Sequence, residues 1–256
     1  MINSPKNISL PSHDGEGLGV RLMYKHIPNT ITSLNLISGC IATVFAVTGS
    51  PVTALLFIIL GAVFDFFDGM TARMLGVSSP IGKELDSLAD CVTFGFAPSA
   101  MIYHLLCVLD YPSALECSRE YLPYIAFVMA AFSALRLAKF NLDERQTSSF
   151  IGLPTPANAL FWGSLIVGGK DAIASTEWSP IIIILLMFVM SWLLIAEIPM
   201  FSLKFKHWNW SENKLRWSFI ISCIPLLLLF RISAFAIIIA WYVVLSILAP
   251  KQPLKN

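Results

Sequence analysis

Charged side chains are scarce in this sequence, and their scarcity is the first guide to its class. Aspartate, glutamate, lysine and arginine make up 13% of the 256 residues, about half the share usual in a soluble domain. Hydrophobic residues make up 56%, and the mean hydropathy is +0.73. These values predict an integral membrane protein. The formal net charge of +1 shows no basic excess, so nucleic acid is not an expected partner.

The sequence also lacks a cysteine framework. Its five cysteines are odd in number and scattered, and no CxxC spacing occurs among them. We therefore expect buried, unreactive thiols rather than disulfides or a zinc site. The first eighteen residues are polar, with neither an apolar core nor a small-residue cleavage site, so a cleaved signal peptide is not expected.

Apolar stretches long enough to cross a bilayer recur along the chain. A spanning helix needs about 20 mostly apolar residues. The sequence predicts an all-α, polytopic transmembrane helix bundle of about eight spans (six to eight), at residues 29–49, 51–75, 83–108, 121–141, 155–170, 180–200, 215–230 and 232–249. Residues 1–28 would form a cytoplasmic N-terminal segment, residues 29–249 the transmembrane domain, and residues 250–256 a cytoplasmic tail.

The distribution of basic residues predicts the orientation. If the chain has eight spans and both termini are cytoplasmic, fourteen of the seventeen lysines and arginines lie on the cytoplasmic side. The three on the outer side are Arg119, Lys170 and Arg231. Cytoplasmic loops of membrane proteins carry the excess of lysine and arginine. The bias therefore favours this orientation, and removing two of the later spans hardly changes it.

Four aspartates lie where a membrane protein should avoid them. Asp65 and Asp68 lie in the last part of the second predicted span, and Asp86 and Asp90 lie in the first part of the third. Spacings of three and four residues place each pair on one helix face, and the short turn 76–80 makes the two helices antiparallel neighbours. The four carboxylates should therefore converge near the cytoplasmic surface.

A cluster of ionised carboxylates needs bound cations to offset its negative charge. Ionised carboxylates at bilayer depth are costly unless they are paired or bound to metal. Ligation by oxygen alone suits Mg²⁺, Mn²⁺ or Ca²⁺ rather than zinc, and two ions would match a phosphoryl-type displacement. Gly69 and Gly82 leave room for a nucleotide, and Arg73 could donate to a diphosphate. A cation-coupled transporter also gathers acids inside a membrane, and it stays as the alternative from another class.

The same residues resemble a known signature. The pattern Asp65-x-x-Asp68-Gly69-x-x-Ala72-Arg73, an eight-residue gap, and Gly82-x-x-x-Asp86-x-x-x-Asp90 matches the CDP-alcohol phosphotransferase motif at every fixed position. Segments 25–36, 87–98, 135–141 and 152–157 are similar to its phosphatidylserine synthase branch. Lys139 departs from that pattern, which has arginine there.

The resemblance implies an activity and a set of roles. It implies transfer of a phosphatidyl group from CDP-diacylglycerol to L-serine, by direct displacement, in a homodimer embedded in membrane lipid. The metal, Mg or Mn and two ions, would be held by Asp65, Asp68 and Asp86 with Asp90 beside it, and Asp90 would be the base. The CDP-lipid site would include Asp65, Asp68, Gly69, Ala72, Arg73 and Gly82. By their positions one to two turns apart on the first predicted helix, Asn29, Thr32 and Asn35 could also face the nucleotide, although helix capping explains Asn29 equally well.

Residues of the fourth predicted span are candidates for the acceptor site. Arg136, Lys139 and Asn141 lie near its cytoplasmic end, at a suitable depth for the serine carboxylate. Snorkelling to the interface explains Lys139 equally well. The segment 152–156 is either a simple turn or a wall of the acceptor pocket.

The sequence says less about the identity of the acceptor alcohol and of the membrane than about the type of reaction. Glycerol phosphate, inositol and inositol phosphate remain alternative acceptors, although the phosphate of glycerol phosphate or inositol phosphate would require a larger basic pocket than these few cations offer. We expect a bacterial inner membrane, with the active site facing the cytoplasm.

Overall fold

The structure, a computed structural model, describes residues 16–77, 79–143, 150–173, 175–201, 210 and 213–248, with side chains from His26 onward except at residues 150, 171 and 172. It is a helix bundle, as the sequence predicts. The α-helices are α1 Glu16–Val47, α2 Pro51–Leu75, α3 Pro80–Asp90, α4 Ala97–Val108, α5 Val128–Leu142, α6 Thr155–Gly168, α7 Lys170–Ile173, α8 Ser179–Ile195, α9 Lys214–Phe230 and α10 Ala234–Leu248. Two short strands, β1 Phe150–Ile151 and β2 Pro199–Met200, pair antiparallel.

Within these described ranges, five helical stretches are long and apolar enough to cross a membrane: His26–Val47, Pro51–Leu75, Pro80–Val108, Leu122–Leu142 and Lys214–Leu248. The chain is therefore an integral membrane protein. α6 and α8 are shorter, with 14 and 17 residues. Eight crossings with both termini cytoplasmic stays a prediction.

The last apolar stretch is a hairpin rather than one long helix. Arg231 has φ +49°, a conformation that breaks the helix between α9 and α10. Trp241 Nε1 donates to Ser222 Oγ over 3.2 Å, so residues on either side of the break face each other. The structure thus has two antiparallel segments here, matching the predicted separation of 215–230 from 232–249.

The first two helices form the tightest pair in the bundle. Small buried residues, Ala42 and Ala46 on α1 and Ala54 on α2, let the backbones approach closely. Phe45 and Phe57 stack with ring centroids 5.8 Å apart near the turn that joins the helices. α1 also packs on α3 and α4, whereas α2 and α3 approach each other closely at few points. Thus α2 and α3, which the sequence predicts as direct neighbours, are held next to each other mainly through α1, which packs against both.

Three helix ends differ from the ends of the predicted spans, which the sequence gives only to within a few residues. α1 begins at Glu16 rather than near residue 29, so Pro28 lies inside it; the apolar stretch starts only at His26, and water near that end can satisfy the carbonyl that proline frees. α3 begins at Pro80 because Ser79 caps it. α8 ends at Ile195, not at residue 200, because residue 199 is proline and the following backbone pairs with β1.

The predicted third span also contains a π-helical segment, Cys91–Phe96, between α3 and α4. π-helical turns are rare and are frequent at functional sites. This one starts immediately after Asp90, and sequence periodicity gave no sign of it.

All five cysteines are free. Cys40, Cys107 and Cys117 are exposed on the outside of the bundle, so the expectation of buried thiols was wrong for these three. In a membrane protein, the lipid-facing surface is as apolar as the interior, and an apolar sequence context does not separate the two.

Candidate active site

A tightly capped turn brings the two halves of the aspartate pattern together. Gly76 ends α2 in the left-handed conformation, with φ +62°, and its N–H faces the carbonyls of Ala72 and Arg73. Ser79 Oγ accepts from Gly82 N over 3.0 Å, and Pro80 occupies the first turn of α3. Both caps are local in sequence, so the reversal is strongly specified.

The four carboxylates converge at this reversal. Asp65, Asp68 and Asp86 each offer an oxygen atom, and these atoms all lie within 4.8 Å of one another. Asp65 is also within hydrogen-bonding reach of both Asp86 and Asp90. Asp68 is only 6% exposed. The structure therefore brings together all four predicted acids.

This cluster fits a hard divalent cation. Its donors are oxygens alone, the set that Mg²⁺ and Mn²⁺ prefer. Asp86 Oδ1 is buried and has no hydrogen-bond partner among the described residues. Buried polar atoms are normally satisfied, and adjacent carboxylates repel each other unless cations lie between them. Asp65, Asp68 and Asp86 could hold the metal, with Asp90 at the edge of the group.

α1 supplies polar partners to two of these acids. Thr32 Oγ1 donates to Asp68 Oδ2 over 2.6 Å, and Asn35 Nδ2 donates to Asp90 Oδ1 over 3.2 Å. Thr32 is 3% exposed and Asn35 is fully buried. The sequence predicts that both residues could face the nucleotide. In the structure each holds a carboxylate in place, and Thr32 also lines the cavity beside the acids.

The backbone around Asn35 is itself held. Thr93, in the π-helical segment, donates to Asn35 O over 3.0 Å. A Cβ on Gly61 of α2 would lie 2.9 Å from Asn35 Oδ1 and 2.5 Å from Thr93 Cγ2. Only glycine permits this approach of the three segments, and the approach positions the amide that faces Asp90.

A cavity of about 200 Å³ opens beside the carboxylates. Of the residues predicted for the CDP-lipid site, it is lined by Asn29, Thr32, Asp68, Gly69, Ala72 and Gly82. Asp65 and Arg73 do not line it. Arg73 is exposed, and its Nε donates to Gly69 O over 2.9 Å.

Four further residues line the cavity and were not predicted: Pro28, Val77, Ser79 and Lys83. Lys83 is the one cation among the lining residues, and its Nζ donates to Asn141 O over 3.0 Å. Its position directly after Gly82, on the helix that carries Asp86, was the available signal. Ser79 was detectable as a helix cap.

Arg136 is a buried cation close to the acids. It is 8% exposed, its Nη1 donates to Thr155 Oγ1 over 3.3 Å, and its Cζ lies 5.3 Å from the Phe140 ring centroid. It is near enough to Asp90 to interact with it electrostatically. No carboxylate of the described chain lies within 4 Å of Arg136. A guanidinium has five N–H donors, so Arg136 retains capacity for an anionic ligand.

The other two acceptor-site candidates, Lys139 and Asn141, lie in different surroundings. Lys139 lines a second, small cavity together with Arg136, and its Nζ lies 3.6 Å from Glu197 Oε1. Asn141 does not line that cavity. Its Nδ2 donates to Ser87 Oγ over 2.8 Å, which fastens the end of α5 to α3. Thr155 accepts a hydrogen bond from Arg136, so the segment 152–156 is more than a simple turn: it helps to position the Arg136 side chain.

This arrangement agrees with a sequence-family match. A family model described as CDP-alcohol phosphatidyltransferase matches residues 25–208, most of the chain. The chain belongs to this family. It is therefore a transferase, as the aspartate pattern indicated, and the transporter alternative has no support. The CDP-alcohol phosphatidyltransferase segment contains every candidate site residue, whereas α9 and α10 follow it.

Several curated proteins are similar to the chain. A Bacillus subtilis protein named CDP-diacylglycerol–serine O-phosphatidyltransferase is 36% identical over 185 residues, covering 72% of this chain and 92% of that protein. A protein of the same name from Methanocaldococcus jannaschii is 34% identical over 62% of this chain and 68% of its own length. A third, from Saccharomyces cerevisiae, is 36% identical over 51% of this chain and 50% of its own length.

Proposed function

We propose that this transferase moves the phosphatidyl group of CDP-diacylglycerol to L-serine, giving phosphatidylserine and CMP. The observation that carries the chemistry is the convergence of the Asp65, Asp68 and Asp86 oxygens within 4.8 Å, beside a cavity lined by Gly69 and Gly82. The names of the similar proteins support serine as the acceptor. Glycerol phosphate, inositol and inositol phosphate remain alternatives to be tested.

The metal site supports the first half of this proposal. Asp65, Asp68 and Asp86 would hold two divalent ions, Mg²⁺ or Mn²⁺, with Asp90 beside them. When bound, such ions neutralise a diphosphate and stabilise the departing CMP. Thr32 keeps Asp68 turned toward the group through its 2.6 Å hydrogen bond. Second-shell contacts of this kind orient ligands and tune metal affinity.

The cavity supports binding of the CDP group. Gly69, Ala72 and Gly82 present small surfaces, so a nucleotide can approach the backbone. Asn29 adds polar atoms, and Lys83 can approach a phosphate. Arg73 would reach the diphosphate only by leaving the Gly69 carbonyl.

Asp90 would act as the general base. Its Oδ1 accepts from Asn35, which orients the carboxylate that would take the proton of the serine hydroxyl. The serine oxygen then bonds to the phosphorus that carries diacylglycerol, and the bond from that phosphorus to CMP breaks. Arg136, buried and close to Asp90, would bind the serine carboxylate and bring the hydroxyl to the base.

The deciding experiment measures CMP release from CDP-diacylglycerol by the purified protein in detergent. Mg²⁺ and Mn²⁺ are compared with a chelator, and serine, glycerol phosphate, inositol and inositol phosphate are compared as acceptors. We expect release with serine that requires metal, and none from Asp90→Asn, although that variant still binds the CDP-lipid. Preference for another acceptor would reject serine, and near-normal turnover by Asp90→Asn would reject the base.

The orientation and assembly are also proposals. We infer a bacterial inner membrane, a site facing the cytoplasm, and a homodimer, from the distribution of basic residues and the family resemblance. Cys117 lies in the turn Ser113–Ser118 on the predicted outer side, and Glu84 is exposed near the carboxylate site. An impermeant thiol reagent should label Cys117 from outside and a Glu84→Cys variant from inside. The mass in detergent tests the dimer.

A further inference from the structure

The segment after α8 brings an acid to the cavity that contains Arg136 and Lys139. Glu197 lines this cavity, and its Oε1 lies 3.6 Å from Lys139 Nζ. Ile195 O lies 3.5 Å from the same nitrogen. A carboxylate and a carbonyl thus face one ammonium group, and the cavity of about 20 Å³ has room for a group the size of a water molecule or an ammonium.

The backbone that carries Glu197 is held from three directions. Gly152 N donates to Ile198 O over 2.9 Å, and β1 pairs with β2. Leu153 N donates to Leu193 O over 2.9 Å. Tyr242 of α10 donates to Phe201 O over 2.8 Å. These bonds hold the Glu197 backbone beside the cavity without help from Lys139, so the carboxylate, on a side chain 66% exposed, remains within reach of the cavity when the lysine side chain moves.

We propose that Glu197, with the Ile195 carbonyl, receives the ammonium group of the acceptor while Arg136 binds its carboxylate. This rests on the proposed function. Lys139 is half exposed on a flexible stem, and its ammonium group lies where the ligand ammonium would bind. Arg136 and Glu197, which line one small cavity together with Asp143, then present opposite charges to the two charged groups of a zwitterion.

The proposal predicts that phosphorylated alcohols are rejected. Glycerol phosphate and inositol phosphate carry only negative charge, so Glu197 would repel them while Arg136 attracted them. Specificity commonly combines an attractive contact with a repulsive one of this kind. An exposed ion pair contributes little to stability by itself, so the Lys139–Glu197 contact alone gives the acid no strong structural role.

The test compares acceptors that lack one charge. L-Serine, 3-hydroxypropionate (no ammonium) and ethanolamine (no carboxylate) are compared by CMP release from the full-length protein in detergent. In Glu197→Gln we expect the KM for serine to rise at least about tenfold with kcat within about twofold, the loss typical of one charge-assisted hydrogen bond. The kcat/KM for 3-hydroxypropionate should stay unchanged or rise. Glu197→Asp should recover part of the serine KM.

Glu116→Gln is the matched control, because Glu116 also forms an exposed ion pair, with Arg119, away from the site. It should leave every acceptor unchanged. Equal losses for serine and 3-hydroxypropionate in Glu197→Gln, or an unchanged serine KM, would overturn the assignment of Glu197. If the unmodified protein releases no CMP with serine, the proposed function fails instead.

Discussion

Asn35 Nδ2 donates to Asp90 Oδ1 over 3.2 Å, joining α1 to the last residue of α3. Asn35 is fully buried, its carbonyl accepts from Thr93, and Gly61 leaves space for its amide. The contact therefore orients the Asp90 carboxylate, with Oδ1 toward α1. It is the structural basis for treating Asp90 differently from the three metal-site acids.

Asn35→Leu removes this donor at similar side-chain volume. A hydrogen bond to a charged group contributes about 1.5–3 kcal/mol, so we expect kcat to fall about 10- to 100-fold with little change in the KM for CDP-diacylglycerol. Asn158→Leu is the matched control, since Asn158 is equally buried and donates only to Met129 Sδ. A kcat for Asn35→Leu no lower than that of the control would show that Asn35 does not position Asp90.

Thr32→Val tests the support of Asp68. The Thr32 hydroxyl has one proton and two acceptors in reach, Asp68 Oδ2 at 2.6 Å and Pro28 O at 3.0 Å, and the shorter contact to the carboxylate is favoured. Loss of such a partner typically costs about 10- to 100-fold in metal affinity. Activity titrated with Mn²⁺ or Mg²⁺ should therefore need that much more metal.

Thr30→Val is the control for this substitution, because Thr30 is exposed and its hydroxyl reaches only His26 O. Its metal titration should match that of the unmodified protein. If both valine variants titrate alike, Thr32 does not act through the metal site.

Gly69→Ala separates folding from binding. A Cβ at Gly69 would meet nothing within 4 Å, yet Gly69 lines the cavity. Alanine favours a helix over glycine by about 1 kcal/mol, so the melting temperature should be equal or higher. The added methyl displaces the CDP group, and misplacement by about 1 Å can cost about 100-fold. We expect kcat/KM for CDP-diacylglycerol to fall at least about tenfold; unchanged kinetics would place the nucleotide elsewhere.

Arg136→Gln removes the buried cation. Since Arg136 has no carboxylate of the described chain within 4 Å, its charge is available to a ligand. We expect the KM for serine to rise about 10- to 100-fold, as for a lost charge-assisted hydrogen bond. The KM for CDP-diacylglycerol should change little. Arg119→Gln, at an exposed ion pair, is the control. Equal KM changes for both substrates would argue against a role confined to the acceptor.

Local sequence patterns were sufficient to predict much of this protein's fold and of its carboxylate site. The apolar stretches predict a helical membrane bundle because a span must satisfy its own backbone in lipid. Spacings of three and four residues place Asp65 with Asp68, and Asp86 with Asp90, on helix faces. Gly76, Ser79 and Pro80 are the residues that a capped reversal requires. Each of these features depends on neighbours within a few turns of the chain.

Other features depend on contacts between distant parts of the chain. Thr32 meets Asp68 across 36 residues and Asn35 meets Asp90 across 55, and no local spacing predicts either pairing. The premature end of α8 depends on pairing between β1 and β2. That pairing brings Glu197 to the Arg136 cavity, and sequence reasoning missed it entirely.

The sequence by itself therefore determined the membrane class, the helical architecture and the four acids, because periodicity and charge at bilayer depth are local properties. Only the tertiary structure decided which oxygen of Asp90 meets Asn35, which polar residues of α1 hold the acids, and that Glu197 lines the cavity of Arg136. The physical reason is that packing of distant helices selects these partners, through the close approach at Gly61 and the backbone bonds around Glu197.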